Sequence, residues 1–132
     1  MRLSEPPLLA HFYRTRDQYR KNAEQAIGTR EYRKASELLW GAVTQQIKAL
    51  ASAYNVVIES HREFFDFLRQ FAGELQDPKL YEDFVALNAL HRNFYDEVIP
   101  ADIFPLYYEK TLEFLSRLDD LLRVKLGAES SG

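Results

Sequence analysis

The chemistry this chain can offer begins with its three histidines, His11, His61 and His91. Imidazole is the side chain best suited to acid–base work near neutral pH. His91 is the most informative of the three. It lies between Leu87 and Phe94 on an apolar helical stripe, with Asn88, Arg92, Asn93 and Tyr95 clustered around it. On a helix His91 and Arg92 are neighbours about 100° apart, so the imidazole faces the core while the guanidinium reaches the edge of the same seam. Asn88 and Tyr95 share the side of Arg92. Arg92 as a bidentate donor and Tyr95 as a hydroxyl donor would suit an anion. Arg and Tyr are also enriched at interfaces, so a dimer contact is the other reading of this patch. A histidine on a core face is most often a hydrogen-bonded core residue, and Gln46 and Ser36 on the second helix are its expected partners. The expected binding residues are Asn88, Arg92, Asn93 and Tyr95.

Several other chemistries lack their sequence patterns. Di-metal sites in helical bundles use Glu-x-x-His pairs, and the residues three before the histidines are Leu8, Ile58 and Asn88. No metal site is expected, and no cofactor. The chain has no Cys, which excludes disulfides, thiolate ligands and cysteine nucleophiles. It has no GxGxxG, P-loop or HExxH pattern. The carboxylate pairs Glu82-Asp83 and Asp119-Asp120 are adjacent, point to different sides of a helix, and read as solvated charges. His61 follows a Ser60 cap and reads as a helix-start residue.

These residues are carried by a chain of 132 amino acids, a length that fits one domain over residues 1–132, with its core at about 7–125 and a frayed tail over 126–132. Hydrophobic residues make up 46% and charged residues 28%, which excludes disordered and low-complexity classes. The net charge of −3 is unevenly spread: residues 1–34 sum to +4 and the remainder to −7. The chain is not a strongly basic nucleic-acid-binding domain. The basic residues from Arg14 to Lys34 read as a solvated helix face offset by Asp17, Glu24 and Glu31. No segment is apolar enough for a membrane span or secretory signal, and a cytoplasmic location is expected.

The elements follow from punctuation and periodicity. Pro6-Pro7 open a first helix over roughly Pro7–Ile27, ended by Gly28. Thr29 caps a second over roughly Arg30–Tyr54, in which Gly41 marks a close helix contact. Asn55–Ile58 is β-branched but has no partner strand, so it reads as a connection that packs its apolar side chains. Ser60 caps a third helix with Glu63 as its capping-box partner, and Phe64, Phe65, Leu68, Phe71, Ala72 and Leu75 form the inner face. Asp77-Pro78 start a fourth that runs to about Val98, with Leu80, Phe84, Leu87, His91, Phe94 and Val98 as one stripe. Asp102 starts a fifth, which tolerates Pro105 in its first turn and runs to about Val124, with Gly127 as its stop. Ile103, Leu106 and Tyr107 open its inward face. The expected fold is all-α, a five-helix up-and-down bundle, with Trp40 and Phe94 sharing a core.

Two segments carry a family resemblance. Tyr32-Arg33-Lys34-Ala35-Ser36-Glu37-Leu38-Leu39-Trp40-Gly41-Ala42 resembles the opening motif of the PaREP family, and Leu90-His91-Arg92-Asn93-Phe94-Tyr95-Asp96 resembles that family's second signature, with Asp96 in place of Glu. The PaREP family is similar to the HEPN superfamily of helical bundles. That likeness implies a HEPN-like homodimer associated with nucleotide or RNA, or paired with a nucleotidyltransferase in a toxin–antitoxin system. Catalytic HEPN ribonucleases carry Arg, a polar residue and a later His. Arg92-Asn93 match the first half, but Glu97, Val98 and Ile99 stand where the His would fall. The resemblance therefore implies a binding module without the usual nuclease motif. Its alternatives are a metal-independent ribonuclease with His91 and Arg92 as catalytic residues, and a purely structural interaction module.

Overall fold

The computed structural model describes residues 8–96 and 98–131. It contains five α-helices: α1 (Leu9–Gly28), α2 (Tyr32–Ala53), α3 (His61–Leu75), α4 (Pro78–Asp96) and α5 (Phe104–Ser131). No strand occurs among the described residues, and the molecule is an all-α bundle. None of these helices is long and apolar enough to cross a membrane. The expected opening at Pro6-Pro7 lies outside the described residues.

Local chemistry sets the boundaries. At α3, the Ser60 hydroxyl oxygen accepts the Glu63 N–H, and the Glu63 carboxylate accepts the Ser60 hydroxyl and the Glu59 N–H. Ser60 caps the helix with Glu63 as its partner, as expected, but the carboxylate takes the N–H of Glu59 in place of the Ser60 N–H of a regular capping box. Three helices end in the same way. Arg30, Asn55 and Gln76 adopt left-handed φ values of 60°, 60° and 55°. The following N–H of Glu31, Val56 and Asp77 reaches back to the carbonyls of Ala26, Ala51 and Ala72. That is the Schellman arrangement, in which glycine is usual at the left-handed position. Here none of the three is glycine. Gly28 ends α1 as expected but does not supply the reversal. Thr29 does not cap α2 either; its hydroxyl donates to Glu31 Oε2 at 2.6 Å, and Glu31 is the residue before the helix. At the far end, α5 continues to Ser131, past the stop expected at Gly127.

Helix directions can be read from cross-contacts. Gly41 of α2 faces the Tyr19 ring of α1, and a Cβ added to Gly41 would lie 3.1 Å from that ring. The expected close contact is therefore real, and α1 runs antiparallel to α2. Phe65–Phe84 contact and the Lys110–Asp83 ion pair make α3–α4 and α4–α5 antiparallel as well. Between α2 and α3 the chain returns along the bundle through residues 54–60. Trp40 consequently faces His61 while Tyr54 faces Phe71, and α2 and α3 run parallel. Within that segment Ile58 is buried, but Val57 is 71% exposed, so only part of the expected packing forms.

The core centres on α2, whose Leu39, Val43, Ile47 and Leu50 are fully buried against Phe84, Leu87 and Leu90 of α4 and Leu118 and Leu122 of α5. Trp40 is buried as expected, but Phe94 is 37% exposed and does not share its core. The inward line of α4 steps by three at its end, through Leu87, Leu90 and Asn93, which turns Phe94 outward. Val98, Ile103, Leu106 and Leu75 are likewise exposed where inward positions were expected.

Candidate functional site

Antiparallel packing of α2 on α4 aligns Ser36, Glu37 and Trp40 with Asn93, His91 and Phe84. The Glu37 carboxylate lies 3.1 and 3.2 Å from His91 Nδ1. The His91 ring stacks on Trp40 at 5.8 Å between centroids and an interplanar angle of 26°. His61, from the first turn of α3, lies 5.4 Å from His91, and the Tyr95 ring meets His91 edge-on at 5.5 Å. Trp40 is the buried floor of this shelf; His91 and Glu37 remain about one-third exposed. A carboxylate against Nδ1 favours the tautomer with its proton there and leaves Nε2 as the acceptor of the neutral ring.

The remaining expected site residues divide between the shelf and the fold. Arg92 is exposed and has no ion pair among the described residues. Tyr95 is 64% exposed. Asn88 Oδ1 is buried without a hydrogen-bond partner among the described residues. Such an atom costs about 1–3 kcal/mol. Asn93 is committed internally: its Nδ2 donates to Ser36 Oγ at 2.9 Å, and its Oδ1 accepts the Ile99 N–H at 2.7 Å. It ties the connection after α4 to α2. The seam expected between His91, Ser36 and Gln46 does not form, since Ser36 serves Asn93 and Glu37 takes His91. Glu37, Trp40 and His61 complete the shelf. Nothing in their spacing announces this, because their meeting depends on how α2 and α3 lie against α4.

Gln46 belongs to a second polar cluster that joins three helices. Arg16 Nη1 bonds to Gln46 Oε1 and lies 3.0 Å from Asp119 Oδ1. That same carboxylate oxygen accepts the Tyr13 hydroxyl at 2.7 Å and Gln46 Nε2 at 3.1 Å. Burial, followed by the hydrogen bond to Asp119, pushes the Tyr13 phenol up to about 12. Asp119 is thus no solvated charge, and Arg16 is drawn out of the basic face. These donors and acceptors satisfy one another, so the cluster ties the bundle together and presents no open site. Among the described residues no group of three His, Asp or Glu is placed to hold a metal.

A cleft of about 830 Å³ opens beside the shelf, between the α1–α2 turn and the connection from α4 to α5. Arg30 and Lys34 flank one wall; Phe94, Ile99, Pro100 and Ala101 form the other. Arg33 bridges them, donating from Nη2 and Nε to the Phe94 carbonyl at 2.7 and 2.9 Å. A cation at the end of α4 satisfies a terminal carbonyl and favours the negative end of the helix dipole.

The class defined by this architecture is an all-α bundle with a histidine–carboxylate shelf at the α2–α4 contact. Residues 13–115 match the archaeal PaREP1/PaREP8 family, and the chain belongs to it. The matched region holds every residue of the shelf. No curated protein and no solved structure matches the chain.

Proposed function

We propose that the chain is a HEPN-like binding module, acting as a homodimer, that holds RNA or a nucleotide on the outer face of α4. One observation carries this reading: exposed Arg92 and Tyr95 stand beside a fixed backing of His91, Glu37 and Trp40. A guanidinium suits phosphate and a phenol ring suits a nucleobase, the pairing used for single-stranded nucleic acid. The chain's net negative charge confines this attraction to a local patch. Exposed Val98, Ile103 and Leu106 near the same end supply apolar surface for a second copy. A nucleotidyltransferase as second chain of a toxin–antitoxin pair belongs to the same HEPN-based reading.

The test is binding of a fluorescent short oligouridylate by the parent, Arg92→Ala and Tyr95→Ala. The parent should bind with an affinity that falls as salt rises, and each variant should bind more weakly. No binding by the parent, or equal binding by all three, ends this reading.

The Glu37–His91 pair favours a second reading, a metal-independent ribonuclease. An imidazole oriented through Nδ1 presents Nε2 as a general base for the ribose 2′-hydroxyl, and Arg92 would stabilise developing phosphate charge. The purified parent should then cleave single-stranded RNA, and His91→Ala should not. A parent that leaves RNA intact removes this second reading.

A further inference from the structure

The geometry points to a second ligand site, separate from the α4 shelf: the cleft between the α1–α2 turn and the α4–α5 connection takes a phosphate monoester carried on a flat or apolar body. Its walls differ in chemistry. Arg30 and Lys34 are exposed cations with no ion pair among the described residues, whereas Phe94, Ile99, Pro100 and Ala101 offer apolar surface opposite. Among the described residues of the lining the one acid is Glu31, which already accepts the Thr29 hydroxyl at 2.6 Å. Two cations with no ion pair among the described residues match a doubly charged phosphate end group better than a single carboxylate. At about 830 Å³, the cleft also has room for much more than the phosphate itself. Phe94 is 37% exposed there, a position from which its ring can cover a planar or aliphatic group.

The backbone decides which variant tests this. Arg30 sits at the left-handed residue of the turn after α1, with φ 60°. Glycine is the ordinary occupant of that site and adopts it with less strain. Asn55 and Gln76 take the same conformation after α2 and α3, so the position is a general feature of these turns. At Arg30 it supplies an unusually clean test. Arg30→Gly removes the guanidinium and relieves the backbone, so lost binding cannot be blamed on lost folding.

The experiment is calorimetric titration of the parent, Arg30→Gly, Lys34→Ala and Arg92→Ala with uridine 5′-monophosphate, uridine and inorganic phosphate. Oligouridylates with and without a 5′-phosphate form a further arm. The monophosphate should bind the parent, uridine should not, and inorganic phosphate should bind more weakly. Arg30→Gly and Lys34→Ala should each weaken binding by about tenfold or more, the scale of a lost charge-assisted contact. Arg92→Ala should leave the Arg30-dependent binding unchanged, and any binding that Arg92→Ala removes belongs to the shelf. If only the 5′-phosphorylated strand binds, with the same dependence on Arg30, the monoester is a strand end and the proposal stands. Failure of the parent to bind either phosphorylated probe overturns it. So does undiminished binding by Arg30→Gly and Lys34→Ala.

Discussion

Glu37 and His91 meet across the α2–α4 contact with the carboxylate 3.1 Å from Nδ1, while Trp40 lies stacked against the same imidazole. Two contacts from one helix thus fix both the ring's orientation and its hydrogen-bonded edge. The neutral imidazole should carry its proton on Nδ1. Glu37→Leu should shift the ring toward a mixture of tautomers, read from imidazole ¹⁵N chemical shifts. The pair is about one-third exposed, so its loss should cost no more than about 1 kcal/mol of stability. An unchanged tautomer in Glu37→Leu would mean that Glu37 does not set it.

Trp40 and Phe94 should respond very differently to truncation. Trp40 is 4% exposed and contacts Phe84, His61 and His91; Phe94 is 37% exposed on the cleft wall. Trp40→Ala should cost about 3–5 kcal/mol, the range for buried aromatics. Phe94→Ala should cost less than half of that. Urea midpoints of the two variants decide the matter, and equal losses would contradict the placement of Phe94.

The helices were legible because capping and periodicity are local. Ser60 with Glu63 and Asp77 with Pro78 announce α3 and α4 from a few neighbouring residues. The shelf was legible only on one side. His91 stands out on its stripe, but Glu37 and His61 reach it through helix packing, which leaves no mark in local spacing. Phe94 shows a related limit. A regular stripe assigns it inward, yet Asn93 takes that position because its amide can join Ser36 to the Ile99 N–H. Asp119 looked solvated for the same reason: its partners Tyr13, Arg16 and Gln46 lie on two other helices.

That cluster makes stability depend on alkaline pH. The Tyr13 phenol is raised from 10.0 to about 12, first by burial and then by its hydrogen bond to Asp119. A folded-state value above the unfolded one means that the fold holds the proton more tightly. Tyr13 therefore contributes stability that is fully present below pH 10 and lost as pH rises toward 12. Tyr13→Phe should be less stable than the parent at neutral pH by about 1 kcal/mol, the net worth of a hydrogen bond. The gap should close at alkaline pH. Denaturant midpoints of both proteins across that range give the answer, and a constant gap would contradict the linkage.

The turn between α3 and α4 should be open to improvement by one substitution. Gln76 holds φ 55°, and its following residue, Asp77, donates its N–H to the Ala72 carbonyl. A side chain at this left-handed position brings Cβ close to the following carbonyl, at about 1–2 kcal/mol. Glycine removes that strain but gives back about 0.5–1 kcal/mol because the unfolded chain gains freedom. The difference favours Gln76→Gly by about 0.5–1 kcal/mol. Gln76 is exposed and has no side-chain hydrogen bond among the described residues, so little opposes this gain. Gln76→Ala, which keeps Cβ, should show no such gain. A higher thermal midpoint for the glycine variant alone is the expected result. Equal midpoints for Gly and Ala would mean that the left-handed turn is not under strain.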